Sequence, residues 1–331
     1  MKKLEILVPQ YKEDDKVVKP LLDSIAIQQC VDFDDIGVII VNDGSDIHLS
    51  NELIKGYPFD IKYILAEHGG VSATRNRCLD EAKAEYVMFA DCDDMFYVNT
   101  ALWLIFREID NSHFDSLTSV FVEESQNPQT KKHDYILRGD IQRGGVDSTF
   151  VHGKVHRRLY LINNNIRWND KLTIHEDSYF NCLCQKLSKN VVYCPTPFYL
   201  WKWRDDSVCR HDPLYILRTY NNMLDSNTAL VNQFLDRQMK PEAQYYATAM
   251  IMDAYYTMNT EKWLKQENKE YRDNTEKRFK EYYLEFKDLY ESIEEQVKFQ
   301  IVAGIRNRFF QEGLLLETQT FDQWIKHILE L

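Results

Sequence analysis

Residues 86–94 read YVMFADCDD, a strand-like apolar run that ends in three carboxylates within four positions. The carboxylates of Asp91, Asp93 and Asp94 repel one another, and directly after a buried strand their short side chains cannot escape into solvent. A divalent cation such as Mg²⁺ or Mn²⁺, which prefers oxygen ligands, removes this conflict. Such a site usually also takes phosphate oxygens, so the segment predicts binding of a nucleoside diphosphate compound. The alternative is an acidic surface loop.

Strand-like and helix-like segments alternate upstream of this run. Strands are predicted at Leu4–Val8, Ile36–Val41 and Ile61–Leu65, and helices at Pro20–Gln29 and Val71–Lys83. Strands separated by helices imply right-handed βαβ units and a largely parallel sheet with both faces covered. The sequence therefore predicts an α/β fold, in which ligands collect at the carboxyl ends of the strands.

Polar groups follow three of the predicted strands at that edge. The first strand ends in PQY at residues 9–11, the second in DGS at 43–45 and the fourth in the acidic run 91–94. If the strands are parallel, these groups face one cleft. Turn formation alone would explain the second group, whereas the acidic run is harder to attribute to a turn.

A second acidic pair, Glu176 and Asp177, precedes an apolar-periodic segment at residues 179–187. Acidic residues at a helix N-terminus are stabilised by the helix dipole, which is a sufficient structural reason for the pair. The functional alternative makes one of them a general base at the mouth of the cleft. Spacing along the chain does not decide between these interpretations.

A cationic segment, WKWR at residues 201–204, is followed by Ser207, Arg210 and His211. Cations and a hydroxyl near a metal–diphosphate site would stabilise charge that develops on a leaving group. His211 is also a candidate metal ligand, although a lone histidine is more often a surface or capping residue.

The chain of 331 residues carries 40 Lys+Arg against 52 Asp+Glu, a net charge of −12, which disfavours nucleic acid as a partner. Its seven cysteines include no CxxC pair, which predicts reduced thiols and a cytoplasmic location. No signal peptide or membrane span is predicted, so we expect a soluble protein with at most peripheral contact at the inner face of the membrane.

Turn-forming residues are concentrated in the first part of the chain. Nine of eleven glycines and seven of eight prolines lie before residue 214, which predicts an α/β region at 1–213 and a helical region at 214–331. Apolar residues recur every three or four positions from Phe279 to Ile301, as in an amphipathic helix. We expect aromatic residues here, including Tyr255, Tyr256, Trp263 and Tyr271, to lie mainly in the core. Stacking on sugars is the alternative.

Several short motifs occur in a characteristic order along the chain. They are PQY at 9–11, VNDGS at 41–45, GG at 69–70 with RN at 75–76, FADCDD at 89–94, GKV at 153–155 with RR at 157–158, NNIRW at 164–168 and ED at 176–177. From about residue 4 to residue 211 the chain resembles the family-2 inverting glycosyltransferases of GT-A fold. It is most similar to bacterial enzymes that decorate teichoic acids, capsules and other surface glycans.

The resemblance implies a Rossmann-like, mostly parallel sheet flanked by helices. It also implies inverting transfer from a nucleotide sugar, with a UDP-sugar as the expected donor and one Mn²⁺ or Mg²⁺ ion as cofactor. The expected acceptor is a hydroxyl of a glycan or cell-surface polymer. The late QxxRW motif of processive members is absent, which favours transfer of a single sugar. The helical region would serve the acceptor, a homo-oligomer contact, or both.

By position, the resemblance implies that Asp177 is the catalytic base, supported by Glu176, and that Asp93 is the metal ligand of the DxD motif. Asp43 would accept a hydrogen bond from N3–H of uracil, and His211 would contact the metal. The nucleotide-sugar site would comprise Pro9, Tyr11, Asp43, Arg75, Asp91, Cys92, Asp93, Asp94, Arg204, Ser207 and Arg210. The chain departs from the family pattern at three positions, where it has Asn42, His68 and His152.

Other functions are compatible with parts of this pattern. A nucleotidyltransferase would use such a sheet but predicts a Gly-rich basic loop, whereas residues 9–13 read PQYKE. A non-catalytic nucleotide- or glycan-binding module predicts loss of Asp93 or Asp177, and both are present. The same chemistry on a modified nucleic-acid base or a protein acceptor is a further alternative.

Overall fold

The computed structural model describes residues 1–127, 129–139, 149–205, 215–265, 268–315 and 318–331. The chain forms two compact units, Met1–Ser207 and Val208–Leu331. The predicted boundary after residue 213 lies outside the described residues, as do the predicted site residues Ser207, Arg210 and His211. These four assignments stay predictions.

The first unit is the α/β fold that the alternating segments predicted. Its strands are β1 (Leu4–Gln10), β2 (Ile36–Asp43), β3 (Asp60–Ala66), β4 (Tyr86–Phe89), β5 (Met95–Phe96), β6 (Ser116–Ser119), β7 (Phe121–Gln126), β8 (His133–Arg138), β9 (Lys154–Arg157), β10 (Val191–Cys194) and β11 (Tyr199–Trp201). Its helices are α1 (Asp15–Ala26), α2 (Asn51–Lys55), α3 (Val71–Glu81), α4 (Ala101–Ser112), α5 (Arg158–Asn163) and α6 (Glu176–Lys186), with a 3₁₀ turn at Phe33–Asp35.

Seven strands form the main sheet in the order β10-β6-β9-β4-β1-β2-β3. Strand β1 pairs in parallel with β2 and with β4, in registers that place Gln10 opposite Asn42 and Leu7 opposite Phe89. Because these strands run the same way, Tyr11, Asp43 and Asp91 follow neighbouring strands at one edge of the sheet. The predicted clustering of the three polar groups is therefore confirmed.

Strand β9 is antiparallel to both of its neighbours, β4 and β6, and the sequence pattern did not predict it. Its residues include Lys154 and His156, which are 2% and 1% exposed. A buried strand with a lysine and a histidine has no apolar run, so periodicity does not reveal it. Burial lowers the pKa of His156 to about 3, so this imidazole is neutral at physiological pH.

A second sheet of four strands, in the order β5-β11-β7-β8, lies beyond the acidic run. Strand β5 begins at Met95, directly after Asp94, and pairs antiparallel with β11. Strand β11 leads into the cationic segment 201–204. This pairing brings the end of the WKWR segment to the acidic run, although the two are more than 100 positions apart in the sequence.

Helix α1 begins at Asp15, five residues before the predicted start at Pro20. The side chain of Asp14 accepts hydrogen bonds from the backbone N–H groups of Lys16 and Val17, and this N-cap fixes the earlier start. Pro20 lies inside the helix. Proline is common in the first turn of a helix, whereas Pro20 is the sixth residue of α1.

The second unit is helical, as the low glycine and proline content predicted. Its helices are α7 (Tyr215–Arg218), α8 (Tyr220–Asp236), α9 (Lys240–Met258), α10 (Glu261–Leu264), α11 (Lys269–Ser292), α12 (Glu295–Gln311) and α13 (Phe321–Glu330). The apolar stripe from Phe279 to Ile301 is divided between α11 and α12, because Ile293 is extended, with φ −68° and ψ 145°. The expectation of one continuous helix there is wrong.

Aromatic side chains fill the core of this helical unit. Tyr255 and Tyr256 are both 8% exposed and Trp263 is fully buried, which agrees with the core assignment for these three residues, whereas Tyr271 is half-buried. Trp324 packs with its ring centroid 5.5 Å from that of Tyr255 and 5.0 Å from that of Phe279. Among the helices that the structure describes, none combines the length and the hydropathy required of a membrane span.

Candidate active site

A cleft of about 410 Å³ opens at the carboxyl edge of β1, β2 and β4. It is lined by Pro9, Gln10, Tyr11, Glu13, Asp43, His68, Gly70, Val71, Thr74, Arg75, Asp91, Cys92 and Asp93. The cleft thus brings together seven of the eleven side chains that the resemblance assigned to the nucleotide sugar. Of the other four, Asp94 and Arg204 are described below, and Ser207 and Arg210 lie outside the described residues.

Two stacked rings form one end of the cleft. The rings of Tyr11 and His68 lie with centroids 5.0 Å apart and an interplanar angle of 26°. His68 Nδ1 lies 2.9 Å from Asp43 Oδ2, which joins this stack to the carboxylate that ends β2. An aromatic surface beside a hydrogen-bond acceptor is suited to a planar ligand with an N–H group.

Asp43 is 4% exposed, and its carboxylate ties the end of β2 to the start of α3. Its two oxygens accept from the backbone N–H groups of Gly69, at 2.7 Å, and Gly70, at 3.0 Å. Gly44 has φ +70°, and a Cβ there would lie 2.6 Å from the backbone nitrogen of His68. The turn after β2 therefore requires glycine, both for its backbone conformation and for this close approach.

Arg75 of helix α3 is 3% exposed and bridges three carboxylates. Its Nη1 lies 3.0 Å from Glu176 Oε1 and 2.9 Å from Asp177 Oδ1, and its Nη2 lies 2.9 Å from Asp91 Oδ1. Its guanidinium carbon lies 4.4 Å from the ring centroid of Trp168. Burial acts to lower the pKa of Arg75, but the three carboxylates outweigh it and hold the pKa above its usual value.

Asp177 stands in the first turn of α6, next to Glu176. Its Oδ2 accepts from the backbone N–H of Val151 at 3.2 Å, while its Oδ1 pairs with Arg75. Burial raises the pKa of Asp177 to about 7, with Arg75 opposing the rise and Glu176 adding to it. A carboxyl group that titrates near neutral pH is well matched to accept a proton in catalysis.

Within the acidic run, Asp93 faces the cleft and Asp94 is buried behind it. Asp93 Oδ2 lies 2.8 Å from Arg204 Nη1, so the cationic segment does reach this site. Asp94 is 1% exposed and accepts from Tyr199 Oη at 2.8 Å and from the backbone N–H of Lys202 at 2.9 Å. These bonds fix the segment after β11 against the acidic run, and Asp94 does not line the described cleft.

The donor atoms of this region fit a hard divalent cation. Ligand atoms of Asp91, Asp94 and His152 all lie within 4.8 Å of one another. Burial raises the pKa of Asp93, and the neighbouring Asp91 raises it further, while Arg204 opposes the rise. Carboxylates placed this close favour a bound cation that takes oxygen ligands. Asp93, the metal ligand that the resemblance implies, is not among these three clustered residues.

Sequence reasoning missed several residues of the cleft. Glu13 Oε2 accepts from the backbone N–H of Tyr11 at 2.7 Å, and Glu13 Oε1 lies 3.7 Å from Arg204 Nη1. Gln10 Nε2 donates to the carbonyl of Glu13 at 2.8 Å. The position of Glu13 just after β1 was the available signal, but its partner Arg204 is too distant in the sequence for spacing to reveal the pair.

The sequence profile described as "Glycosyl transferase family 2" matches residues 5–179, which is more than half of the chain. The chain therefore belongs to the family-2 glycosyltransferases. The resemblance carried by the ordered motifs is confirmed, and the enzyme class with it. The matched range includes β1 to β4, the acidic run and the Glu176–Asp177 pair.

Three curated relatives match between 57% and 63% of the chain. The uncharacterized glycosyltransferase EpsJ of Bacillus subtilis is 24% identical over 227 residues, which cover 62% of each chain. The glycosyltransferase GlyA of Streptococcus pneumoniae is 27% identical over 230 residues, 63% of this chain and 32% of GlyA. Poly(ribitol-phosphate) beta-N-acetylglucosaminyltransferase TarP of Staphylococcus aureus is 23% identical over 197 residues, 57% of this chain and 59% of TarP. The matched part thus spans less than two thirds of each relative.

Solved structures match nearly the whole chain. Residues 1–349 of S. aureus TarS superpose with a TM-score of 0.63 and 16% identity, covering 94% of this chain and 92% of that one. The same TarS fragment in complex with UDP-GlcNAc gives a TM-score of 0.62 at 17% identity, with the same coverage. At these identities the likeness establishes the fold, and it confirms the predicted GT-A architecture with a helical C-terminal region.

Proposed function

We propose that this glycosyltransferase transfers a single sugar from a UDP-sugar to a hydroxyl of a glycan or cell-surface polymer. We propose further that the transfer requires a divalent cation and inverts the anomeric carbon. The observation that carries the proposal is the position of Arg75, which contacts Asp177 on one side and Asp91 on the other. The candidate general base, Asp177, and the candidate diphosphate site at Asp91 thus both contact the buried guanidinium of Arg75.

The stacked rings and Asp43 support uracil as the base of the donor. Asp43 Oδ2 lies within reach of both Gly70 N–H and His68 Nδ1, whereas among the described residues Oδ1 accepts only from Gly69 N–H, so a lone pair of Oδ1 remains for the N3–H of uracil. The exposed side chain of Tyr11 offers a face on which the base would stack.

Asp177 is the proposed general base. It takes the proton from the acceptor hydroxyl as that oxygen attacks the anomeric carbon, and the bond from that carbon to the UDP oxygen breaks on the opposite face. Val151 N–H and Arg75 each hold one carboxylate oxygen, which fixes the orientation of the base. Glu176 shares Nη1 of Arg75 with Asp177 and supports this arrangement.

Asp93, with Asp91 beside it, is proposed to hold the cation, and His211 is retained as a further proposed ligand. When bound, a divalent cation neutralises charge that develops on the departing diphosphate. Arg204, which already contacts Asp93, is placed to donate to phosphate oxygens. Ser207 and Arg210 are proposed to act with it.

Relatives suggest which substrates to test first. TarP and TarS are named poly(ribitol-phosphate) beta-N-acetylglucosaminyltransferases, and the TarS structure holds UDP-GlcNAc. We therefore propose UDP-GlcNAc as the first donor to test, and a polyol-phosphate polymer as the first acceptor. We propose that the reaction takes place in the cytoplasm and that the helical unit contributes acceptor or oligomer contacts.

The donor class is tested with a panel of UDP-sugars in the presence of Mn²⁺, first by thermal shift and then by UDP release. A ligand that binds the native state raises the unfolding temperature by mass action, so we expect the donor and UDP to do so and GDP-mannose not to. Tyr11→Ala should weaken the shift with UDP, while Tyr11→Phe keeps it. If no UDP compound shifts the transition, the proposed donor class is wrong.

A further inference from the structure

One peptide group, Phe150–Val151, is held at both of its ends. Its carbonyl oxygen accepts from Asn181 Nδ2 at 2.8 Å and from Lys154 Nζ. Its N–H, on Val151, donates to Asp177 Oδ2 at 3.2 Å. Because the C=O and the N–H belong to one rigid plane, fixing the carbonyl also fixes the direction of the N–H.

The side chains that bind this peptide group come from two elements, helix α6 and strand β9. Asp177 and Asn181 are four residues apart on α6 and therefore lie on one face of that helix. Lys154 begins the buried strand β9. Lys154 and Asn181 are 2% and 0% exposed, so both are desolvated at a cost that buried polar groups recover only through such bonds.

We propose that Lys154 and Asn181 are positioning residues for Asp177, acting through the Phe150–Val151 peptide. This inference rests on the proposed function of Asp177 as the base. Two donors on the carbonyl polarise the peptide, which strengthens its N–H as a donor to the carboxylate. Arg75 binds Oδ1 of Asp177 and the peptide N–H binds Oδ2, so the carboxylate is held in one orientation.

Several charged groups face Asp177 and set its protonation. They are Arg75 from α3, Glu176 from α6, Asp91 after β4 and Lys154 from β9. Lys154 favours the ionised carboxylate both through space and through the peptide, whereas Asn181 carries no charge and acts through the peptide alone. Substituting Asn181 therefore tests the effect through the peptide without changing the charge near Asp177.

The test compares Asn181→Leu, Asn181→Ala and Lys154→Met with the full wild-type chain. The measured quantity is the titration midpoint of the Asp177 carboxyl, followed by ¹³C NMR and assigned by its loss in Asp177→Asn. We expect both Asn181 variants to raise the midpoint by about one pH unit, the effect of weakening one hydrogen bond to the charged form. We expect Lys154→Met to raise it further.

A second measurement follows the slow hydrolysis of UDP-GlcNAc with Mn²⁺ in the same variants. A positioning role predicts a lower kcat with an unchanged KM for the donor, and an acid limb displaced in the same direction as the NMR midpoint. Thr118→Val is the matched control, because Thr118 pairs with Lys154 in the sheet and its hydroxyl has no partner among the described residues. It should leave midpoint and kcat unchanged.

The outcomes separate this inference from the proposed function. If only Lys154→Met shifts the midpoint, the effect is through-space charge and the role of the peptide is overturned. If every variant keeps the wild-type midpoint, the positioning role is wrong, even when Asp177→Asn is inactive. An active Asp177→Asn would instead contradict the proposed base, whatever the titrations show.

Discussion

Arg75 Nη1 lies 2.9 Å from Asp177 Oδ1, so the buried cation of α3 is paired directly with the carboxylate at the start of α6. The two residues are 102 positions apart, with Arg75 in the middle of α3 and Asp177 in the first turn of α6. Since the same guanidinium also contacts Asp91, protonation at one carboxylate changes the field at the other.

Arg75→Met should therefore destabilise the protein more than an ordinary surface change. Removing the guanidinium leaves three partly buried carboxylates uncompensated, at a cost of about 3 kcal/mol in the free energy of unfolding. Urea denaturation followed by fluorescence measures this quantity. Arg77→Met is the matched control on the same helix, because the Arg77 side chain is exposed and its pair with Glu81 should contribute less than about 1 kcal/mol. Equal losses in the two variants would contradict the buried bridge.

Asp177→Asn should bind UDP as the wild type does and lose sugar transfer. The substitution keeps the shape of the side chain and removes its ability to take a proton, so we expect kcat to fall about a thousandfold. Isothermal titration with UDP and Mn²⁺ measures the first property, and UDP release from UDP-GlcNAc measures the second. Glu176→Gln should cost less, since that residue supports the base. Wild-type turnover by Asp177→Asn would contradict the assignment of Asp177 as the general base.

Activity should rise as the pH increases through about 7, and stability should fall as the pH rises from the reference value of 3.8 toward about 7. The pKa of Asp177 is about 7 in the folded chain against 3.8 as a reference, so the folded state holds a proton that the unfolded state has released. Its favourable contribution is complete below the reference value and is lost as the pH rises through about 7. Initial rates and unfolding temperatures between about pH 5 and pH 9 measure both trends. A rate profile that is flat through neutrality would contradict this titration.

Chelation with EDTA should stop turnover, and added Mn²⁺ should restore it in the wild type. Asp93→Asn should lose the response to Mn²⁺, because one carboxylate oxygen of the proposed cation site is then replaced by an amide. Asp46→Asn is the control, since Asp46 is exposed and follows β2 at the same edge of the sheet. Turnover that persists in EDTA would show that the transfer needs no divalent cation.

The sequence patterns predicted the parallel part of the fold well, because β1, β2 and β4 are buried and rich in β-branched or aromatic residues. They did not reveal β9, whose buried Lys154 and His156 are stabilised by tertiary contacts and not by an apolar run. In the small second sheet, β5 and β11 were missed because they have two and three residues, too few to show a period.

The residues of the candidate site could be predicted from the sequence, but the ion pairs that connect them could not. The motifs named Arg75, Asp91 and Asp177, but the ion pairs that join them span up to 102 positions, which one sequence cannot show. Asp94 is a further example. The resemblance assigned it to the nucleotide-sugar site, and no sequence pattern indicated its two hydrogen bonds, to Tyr199 and to the backbone of Lys202, which fix the segment after β11.

The carboxylate of Asp43 joins the end of β2 to the two backbone amides just before α3, so these amides sense whether the cleft is occupied. Its oxygens hold the N–H groups of Gly69 and Gly70, which would otherwise face water at the start of the helix. A nucleobase that donates to the Asp43 carboxylate changes the strength of its hydrogen bonds from Gly69 and Gly70. Deuterium uptake at these two glycines therefore reports nucleotide binding from the backbone itself, with no label on the ligand.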